Sequence, residues 1–173
     1  MTAPFAIRRA TSAAGDVDAI ARHRAGMFRD MGSVSAAAIP TLIAFSRERL
    51  SEALTSGEYV GWVASPVDDK TTIVAGAGVL IRRGLPFPQG RDKIALGRQA
   101  LVMNVFTEPE HRRRGAARLL MLQVMAWARD AGIESLVLHA APEGRQLYES
   151  LGFVATNEMR YDGDIATWTR PVQ

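Results

Sequence analysis

Apolar and polar positions change period several times along the chain. "FAIRRAT" at 5–11 alternates and predicts a short strand. Across "GDVDAIARHRAGMFRDMG", the positions Val17, Ile20, Arg24, Met27, Phe28 and Met31 recur at helical spacing, with Asp16 suited to cap the helix and Gly32 to end it. After "SVSAAAIP", Pro40 opens a second helix, "TLIAFSRERLSEALTSG", that closes at Gly57. "EYVGWVASP" and "TTIVAGAGVLIRR" flank the turn-prone "PVDDK" and predict two antiparallel strands.

"GLPFPQGRDKIALG" has two prolines and three glycines and reads as a long excursion between strands. "QALVMNVFT" follows as a nearly continuous apolar strand, expected to be buried on both faces. From Ala116 to Ala131, Leu120, Val124, Trp127 and Ala128 fall on one helical face, and Gly132 is the stop. "IESLVLHAA" supplies another apolar strand, so strand, helix and strand predict a right-handed parallel crossover. "PEGRQLYESLGF" predicts a short helix from Pro142 that ends at Gly152, and "FVATNEMRYDGDIATWTR" has β-formers for one or two terminal strands. No repeat or linker divides the 173 residues, which read as a single domain, 1–173.

Composition narrows the setting. With 47% hydrophobic and 23% charged residues, the chain reads as an ordinary soluble protein. The net charge is only +3, yet the pI is about 9.8, because Lys70 and Lys93 are the only lysines and arginine does not titrate in the accessible range. A polyanion partner is therefore weakly supported, and no nucleic acid is expected. The absence of cysteine excludes disulfides, thiolate metal sites and a cysteine nucleophile. No apolar run approaches the ~20 residues that span a bilayer, and the N-terminal stretch lacks a signal peptide's apolar middle. The expectation is a cytoplasmic protein with no membrane partner and no metal.

The chemistry concentrates in "TEPEHRRRGAARLL" at 107–120. Three arginines precede a glycine at the end of a buried strand and the start of a helix, where open α/β sheets collect ligands. A helix start offers unpaired N–H groups and the positive end of the macrodipole, and Gly115 and Ala117 let a phosphate approach the backbone. The spacing fits neither a P-loop nor a dinucleotide fingerprint. The plainer alternative is a solvated charge run, Arg112–Arg114.

Arg112, Gly115 and Ala117 match R-x-x-G-x-[GA], preceded by "NVFTEPEH", and "LYESLGF" at 147–153 forms a second block. In these blocks and in its element order, the sequence resembles the GCN5-related N-acetyltransferases. That resemblance implies an α/β fold with a mixed central sheet of about six to seven strands flanked by about four helices. It also implies acetyl-CoA as co-substrate and direct attack by an acceptor amine, on a small molecule or a peptide. A non-catalytic acyl-CoA-binding module is the alternative. Dimers are common among such proteins, which makes a homodimer one expectation; the sequence itself does not set the oligomeric state.

By the same resemblance, main-chain N–H groups of Arg113, Arg114, Gly115, Ala116, Ala117 and Arg118 hold the pyrophosphate, with Arg112 as a motif position. Backbone groups of Val105, Phe106 and Thr107 pair with pantetheine, and Tyr148 is the acid for the departing thiolate. Phe28, Met31 and Asn104 are candidates for the acceptor side, which the first two helices and the excursion before the central strand are expected to frame. The base is open: "QALVMNVFT" holds no carboxylate, leaving Glu108, His139 or a water relay. Asp30 is a candidate partner for a cationic amine, its plainer alternative being an exposed helix end. The chain also departs from many relatives in having Ala141, where they carry an asparagine seven residues before the tyrosine.

Overall fold

The structure is a computed structural model, and residues 4–159 are described. Along them run β1 (Phe5–Arg9), α1 (Ala14–Asp30), α2 (Ile39–Ser56), β2 (Tyr59–Pro66), β3 (Ala75–Arg83), β4 (Phe87–Pro88), β5 (Ile94–Ala95), β6 (Arg98–Thr107), α3 (Ala116–Asp130), β7 (Ser135–Leu138) and α4 (Pro142–Ser150). β1, β2, β3, β6 and β7 form a five-stranded mixed sheet in that order, and β4 and β5 form a separate ribbon. β6 and β7 are parallel and the other neighbours in the sheet antiparallel. Four helices and seven strands agree with the expected α/β class. The terminal strands expected after Phe153 fall mostly outside the described residues, and 153–159 are irregular.

Alternation along the strands sorts side chains to two faces. Val60, Trp62 and Ala64 of β2, with Ala100 and Val102 of β6, meet Leu120, Met121 and Val124 of α3, which are completely buried. Burying each of these three contributes about 1.5–3 kcal/mol. The opposite face carries Tyr59 and Val63 against Val17, Ile20 and Ala21 of α1 and Leu50 and Ala53 of α2. The helix therefore lies on the two faces as the 3.6-residue stripes direct.

The long excursion is not structureless. Its ribbon is anchored by Glu134, whose carboxylate accepts from the N–H groups of Leu96 (2.8 Å) and Arg98 (2.9 Å), while the Gln89 amide donates to the Glu134 carbonyl. That anchor lies at the N-terminal end of β6, opposite to the loop at 107–115. The expectation that the excursion frames the site beside that loop has no support from this attachment.

Asp16 does not cap α1 in the expected way. Ala13 is the capping residue, and the Asp16 carboxylate reaches back from the first turn to the N–H (2.8 Å) and hydroxyl (3.0 Å) of Thr11. It also receives both terminal nitrogens of Arg8 on β1, at 2.6 and 2.8 Å, so it joins strand to helix. The Arg8 hydrogen bond, with help from Thr11, lowers its pKa from 3.8 to about 2 against the opposing effect of burial.

A carboxyl pKa depressed in the folded state stabilises the fold above the unfolded value and ceases to do so as pH falls through the folded one. Asp16→Asn is expected to cost on the order of 2 kcal/mol at pH 7, with the difference from wild type shrinking between pH 4 and pH 2. Urea unfolding of both proteins across that range is the measurement; a pH-independent difference would remove the ion pair as the cause.

Candidate active site

β6 carries the feature that opens the site. Gly78 of β3 pairs with Met103 and Gly76 with Phe106, so Ala77 alone stands opposite Asn104 and Val105. The extra residue makes a β-bulge, with Asn104 in left-handed backbone at φ 58°. Asparagine tolerates this conformation better than most residues. The bulge shifts the alternation: Met103 and Asn104 both turn to the α1/α2 face, and Val105 returns to the α3 face. Without it, the Asn104 amide would enter the apolar layer against α3.

Asn104 is 3% exposed, and its amide is satisfied on both sides. Its Oδ1 accepts from Arg24 Nη1 at 2.8 Å, and its Nδ2 donates to the Tyr59 hydroxyl oxygen at 3.2 Å. Tyr59 lies over Gly78, where an added Cβ would sit 2.0 Å from that hydroxyl, so only glycine fits beneath the ring. Complete burial raises the Tyr59 pKa to about 12 and keeps the phenol neutral. The Asn104 side chain is thus engaged by α1 and β2.

Beyond the bulge, β6 loses its other neighbour. β7 pairs only with Gln99–Val102, so residues 103–107 have no strand partner on that edge among the described residues. Val105, Phe106 and Thr107, expected to meet a pantetheine arm, lie on this freed stretch. Phe106 packs its ring on Gly26 and His23 of α1.

The loop after β6 turns through a short 3₁₀ segment, Pro109–His111, then through left-handed Arg113 (φ 60°) and Gly115 (φ 89°) into α3. Gly115 is the N-cap, and no side chain caps the helix. The first bond closing the helix runs from Leu119 N–H to the Gly115 carbonyl, which leaves the N–H groups of Ala116, Ala117 and Arg118 without a backbone acceptor. A Cβ on Gly115 would meet nothing within 4 Å, so its glycine is required by backbone conformation and the space before it is open. Unpaired main-chain N–H groups at a helix start are donors of the kind an anion meets.

The three arginines do not form a common patch. Arg112 pairs with Asp30, donates Nε to the Thr107 carbonyl at 3.0 Å and covers the Phe106 ring. Arg114 turns to Phe5 and His111. Arg113 lines a cavity of about 280 Å³ with Glu143, Gln146, Leu147 and Ser150 of α4. Arg118 ties the two helices together through the Ser150 hydroxyl at 3.0 Å. All three arginines are exposed, as a solvated charge run would be, but Arg112 and Arg114 also make contacts back to the protein.

Tyr148 is half-buried on α4, against Phe153, and its ring leans back over Gly144 toward the start of the helix. Burial raises its pKa above the usual 10, so it is a protonated donor at neutral pH. Ala141 is the N-cap of α4 and offers no side-chain bond.

The other candidates are dispersed. His139 lies just past β7, exposed, with Nε2 3.1 Å from Glu158. It is a surface residue, neither in the strand nor in the core, because β7 ends at Leu138. Asp30 is occupied by Arg112 and is not free for a cationic amine. Glu108 Oε1 lies 3.3 Å from Nε2 of His23, without hydrogen-bond alignment. Burial, and then Arg22, lowers the His23 pKa to about 4, so this contact joins a carboxylate to a neutral ring. Phe28 is half-buried under Arg24, and Met31 is 40% exposed at the end of α1. Arg24 was legible only as a cation placed on an apolar helical face, and His23 as a polar residue beside it.

Comparison with known proteins agrees with this geometry. The family model described as "Acetyltransferase (GNAT) family" matches residues 30–153, and the chain belongs to that family. A GCN5-related N-acetyltransferase from Ralstonia eutropha JMP134 is 29% identical, covering 94% of this chain and 99% of its own, with a TM-score of 0.79. A predicted acetyltransferase of Clostridium acetobutylicum, solved with acetyl-CoA, is 22% identical over 92% of this chain and 96% of its own, at TM-score 0.75. Glucosamine-6-phosphate N-acetyltransferase of Arabidopsis thaliana shares the fold at 16% identity and TM-score 0.62, covering 93% of this chain and 98% of its own. No curated protein matches the sequence.

Asn104→Leu removes the buried amide that Arg24 and Tyr59 both bond. It is expected to destabilise the fold by about 2–3 kcal/mol, since the Arg24 and Tyr59 groups lose their bonds in a site that water enters poorly. Chemical denaturation checks this; a change below about 0.5 kcal/mol would deny the amide its structural role.

Proposed function

We propose that this protein is an acetyl-CoA-dependent N-acetyltransferase that transfers the acetyl group directly to an acceptor amine. The observation that carries this reading is the uncapped start of α3, whose first N–H groups have no backbone acceptor among the described residues, after a loop in which Arg113 lines a cavity with α4. Acetyl-CoA would supply an activated acetyl group and a thiolate leaving group. The N–H groups from Arg113 to Arg118 fit its pyrophosphate, because they present unsatisfied donors at the positive end of a helix dipole. Arg113 adds a cationic side chain there, while Arg112 holds the loop to α1 through Asp30.

The freed edge of Val105–Thr107 offers main-chain groups to the amides of the pantetheine arm, in the manner of an added strand. The acceptor nitrogen bonds to the acetyl carbon as the carbon–sulfur bond breaks. Tyr148 gives its proton to the departing sulfur, a transfer suited to a phenol that stays protonated at neutral pH. β6 has no carboxylate, so the amine's proton passes to water, with Glu108 at the end of the strand as the nearest acid along the chain.

Saturating acetyl-CoA is expected to raise the melting temperature by mass action. Gly115→Glu, which puts bulk and negative charge before the helix start, should weaken its binding by about tenfold or more. Thermal melts read the first and calorimetric titration the second, and wild-type affinity in the variant would reject the cradle. Tyr148→Phe should lower turnover by about 10²-fold with the affinity for acetyl-CoA retained. Thiol release followed with a chromogenic disulfide measures it, and undiminished turnover would take the acid role from Tyr148.

A further inference from the structure

We infer that Arg24 is the receptor for an anionic group on the acceptor, so that the acceptor is an amine carrying a carboxylate or a phosphate. The inference rests on the transferase reading above and adds the chemistry of its second substrate.

Arg24 lies on the buried side of α1, beside the bulge from which the freed edge of β6 departs. A guanidinium carries five N–H donors. Among the described residues one of them is used, on Asn104 Oδ1 at 2.8 Å, and the guanidinium carbon lies over the Phe28 ring, 4.9 Å from its centre. Removing a cation from water is costly unless an anion faces it. Among the described residues Arg24 has no such partner: burial lowers its pKa, and the one group that opposes this is the neutral phenol of Tyr59.

The acids of α1 are all committed to other cations. Asp16 pairs with Arg8, Asp18 with Arg47, and Asp30 with Arg112 and Arg29. Glu108, from the loop after β6, faces His23. A half-buried arginine with unused donors and no counter-ion is matched by a ligand oxyanion. A guanidinium binds carboxylate or phosphate through two parallel N–H···O bonds, and here it is held in position by the Phe28 ring and the Asn104 amide. Phe28 then offers an apolar wall to the carbon skeleton between anion and amine. Polyamines and other acceptors with a second cation would meet uncompensated positive charge.

The test uses acetyl-CoA-dependent thiol release on matched acceptors: amino acids against their amides, amino-sugar phosphates against the free amino sugars, and a polyamine. The anionic member of at least one pair should be preferred by about tenfold or more in kcat/KM. The pair that shows it separates a carboxylate from a phosphate. Arg24→Gln keeps a donor for Asn104 but removes the charge, and should abolish the preference while acetyl-CoA affinity is retained. Arg24→Lys should keep part of it, and its melting curve reports whether the position tolerates change.

Equal use of anionic and neutral acceptors, preference for the polyamine, or an unchanged preference in Arg24→Gln would overturn the inference. If acetyl-CoA binds but no amine of either kind releases thiol, the transferase reading fails. Arg24 is then judged by binding alone, from the melting shift produced by N-acetyl amino acids and N-acetyl amino-sugar phosphates. A shift in wild type that Arg24→Gln loses supports the anion site, and no shift in wild type rejects it.

Discussion

The open half of the molecule depends on one buried amide. Asn104 occupies left-handed backbone in the middle of β6, and its side chain closes the gap between Arg24 on α1 and Tyr59 on β2. The extra residue it brings into the strand turns the Asn104 amide to the α1/α2 face and returns Val105 to the α3 face, so both layers stay satisfied. It also marks where β6 and β7 cease to pair. Paired with β7 to its end, β6 would have no edge free for a ligand. The bulge makes one without exposing the core, because Phe106 remains packed against Gly26 and His23 of α1.

A second constraint acts at the end of the same strand. α3 begins without a capping side chain, after two left-handed residues, and its first N–H groups are left to an outside acceptor. A serine or aspartate at the cap would satisfy one of those donors and typically stabilise the helix by about 1 kcal/mol. Gly115 forgoes that and keeps the space before the helix open. Two of the three adjacent arginines are spent on holding the loop: Arg112 on Asp30 and the Thr107 carbonyl, Arg114 on Phe5 and His111. Charge in this loop serves position, and the main chain presents the donors.

Most of the scaffold was legible because its signals are local. Helical stripes place α1, α2 and α3, glycines follow each helix, and turn residues separate β2 from β3. The R-x-x-G-x-[GA] spacing marks the cradle for the same reason, since a left-handed residue followed by a helix start is a property of a few consecutive residues. What escaped was set by distant pairs. Asp16 looked like a cap, and Arg8, eight residues earlier, took it into an ion pair. Asp30 looked free, and Arg112, 82 residues on, occupied it. The bulge is invisible in "QALVMNVFT", whose apolar run hides the point where two successive side chains turn to one face.

The sequence alone determined the class of fold, the order of its elements and the loop that opens α3 without a capping side chain, because periodicity, turn chemistry and helix-start geometry act over a few residues. Only the tertiary structure decided which charges are neutralised and which have no counter-ion among the described residues. Arg24 shows the reason. Its place on an apolar helical face could be read from spacing, but its lack of a counter-ion among the described residues depends on the partners chosen by Asp16, Asp18, Asp30 and Glu108. Those pairings exist only once the sheet has brought the two halves of the chain together.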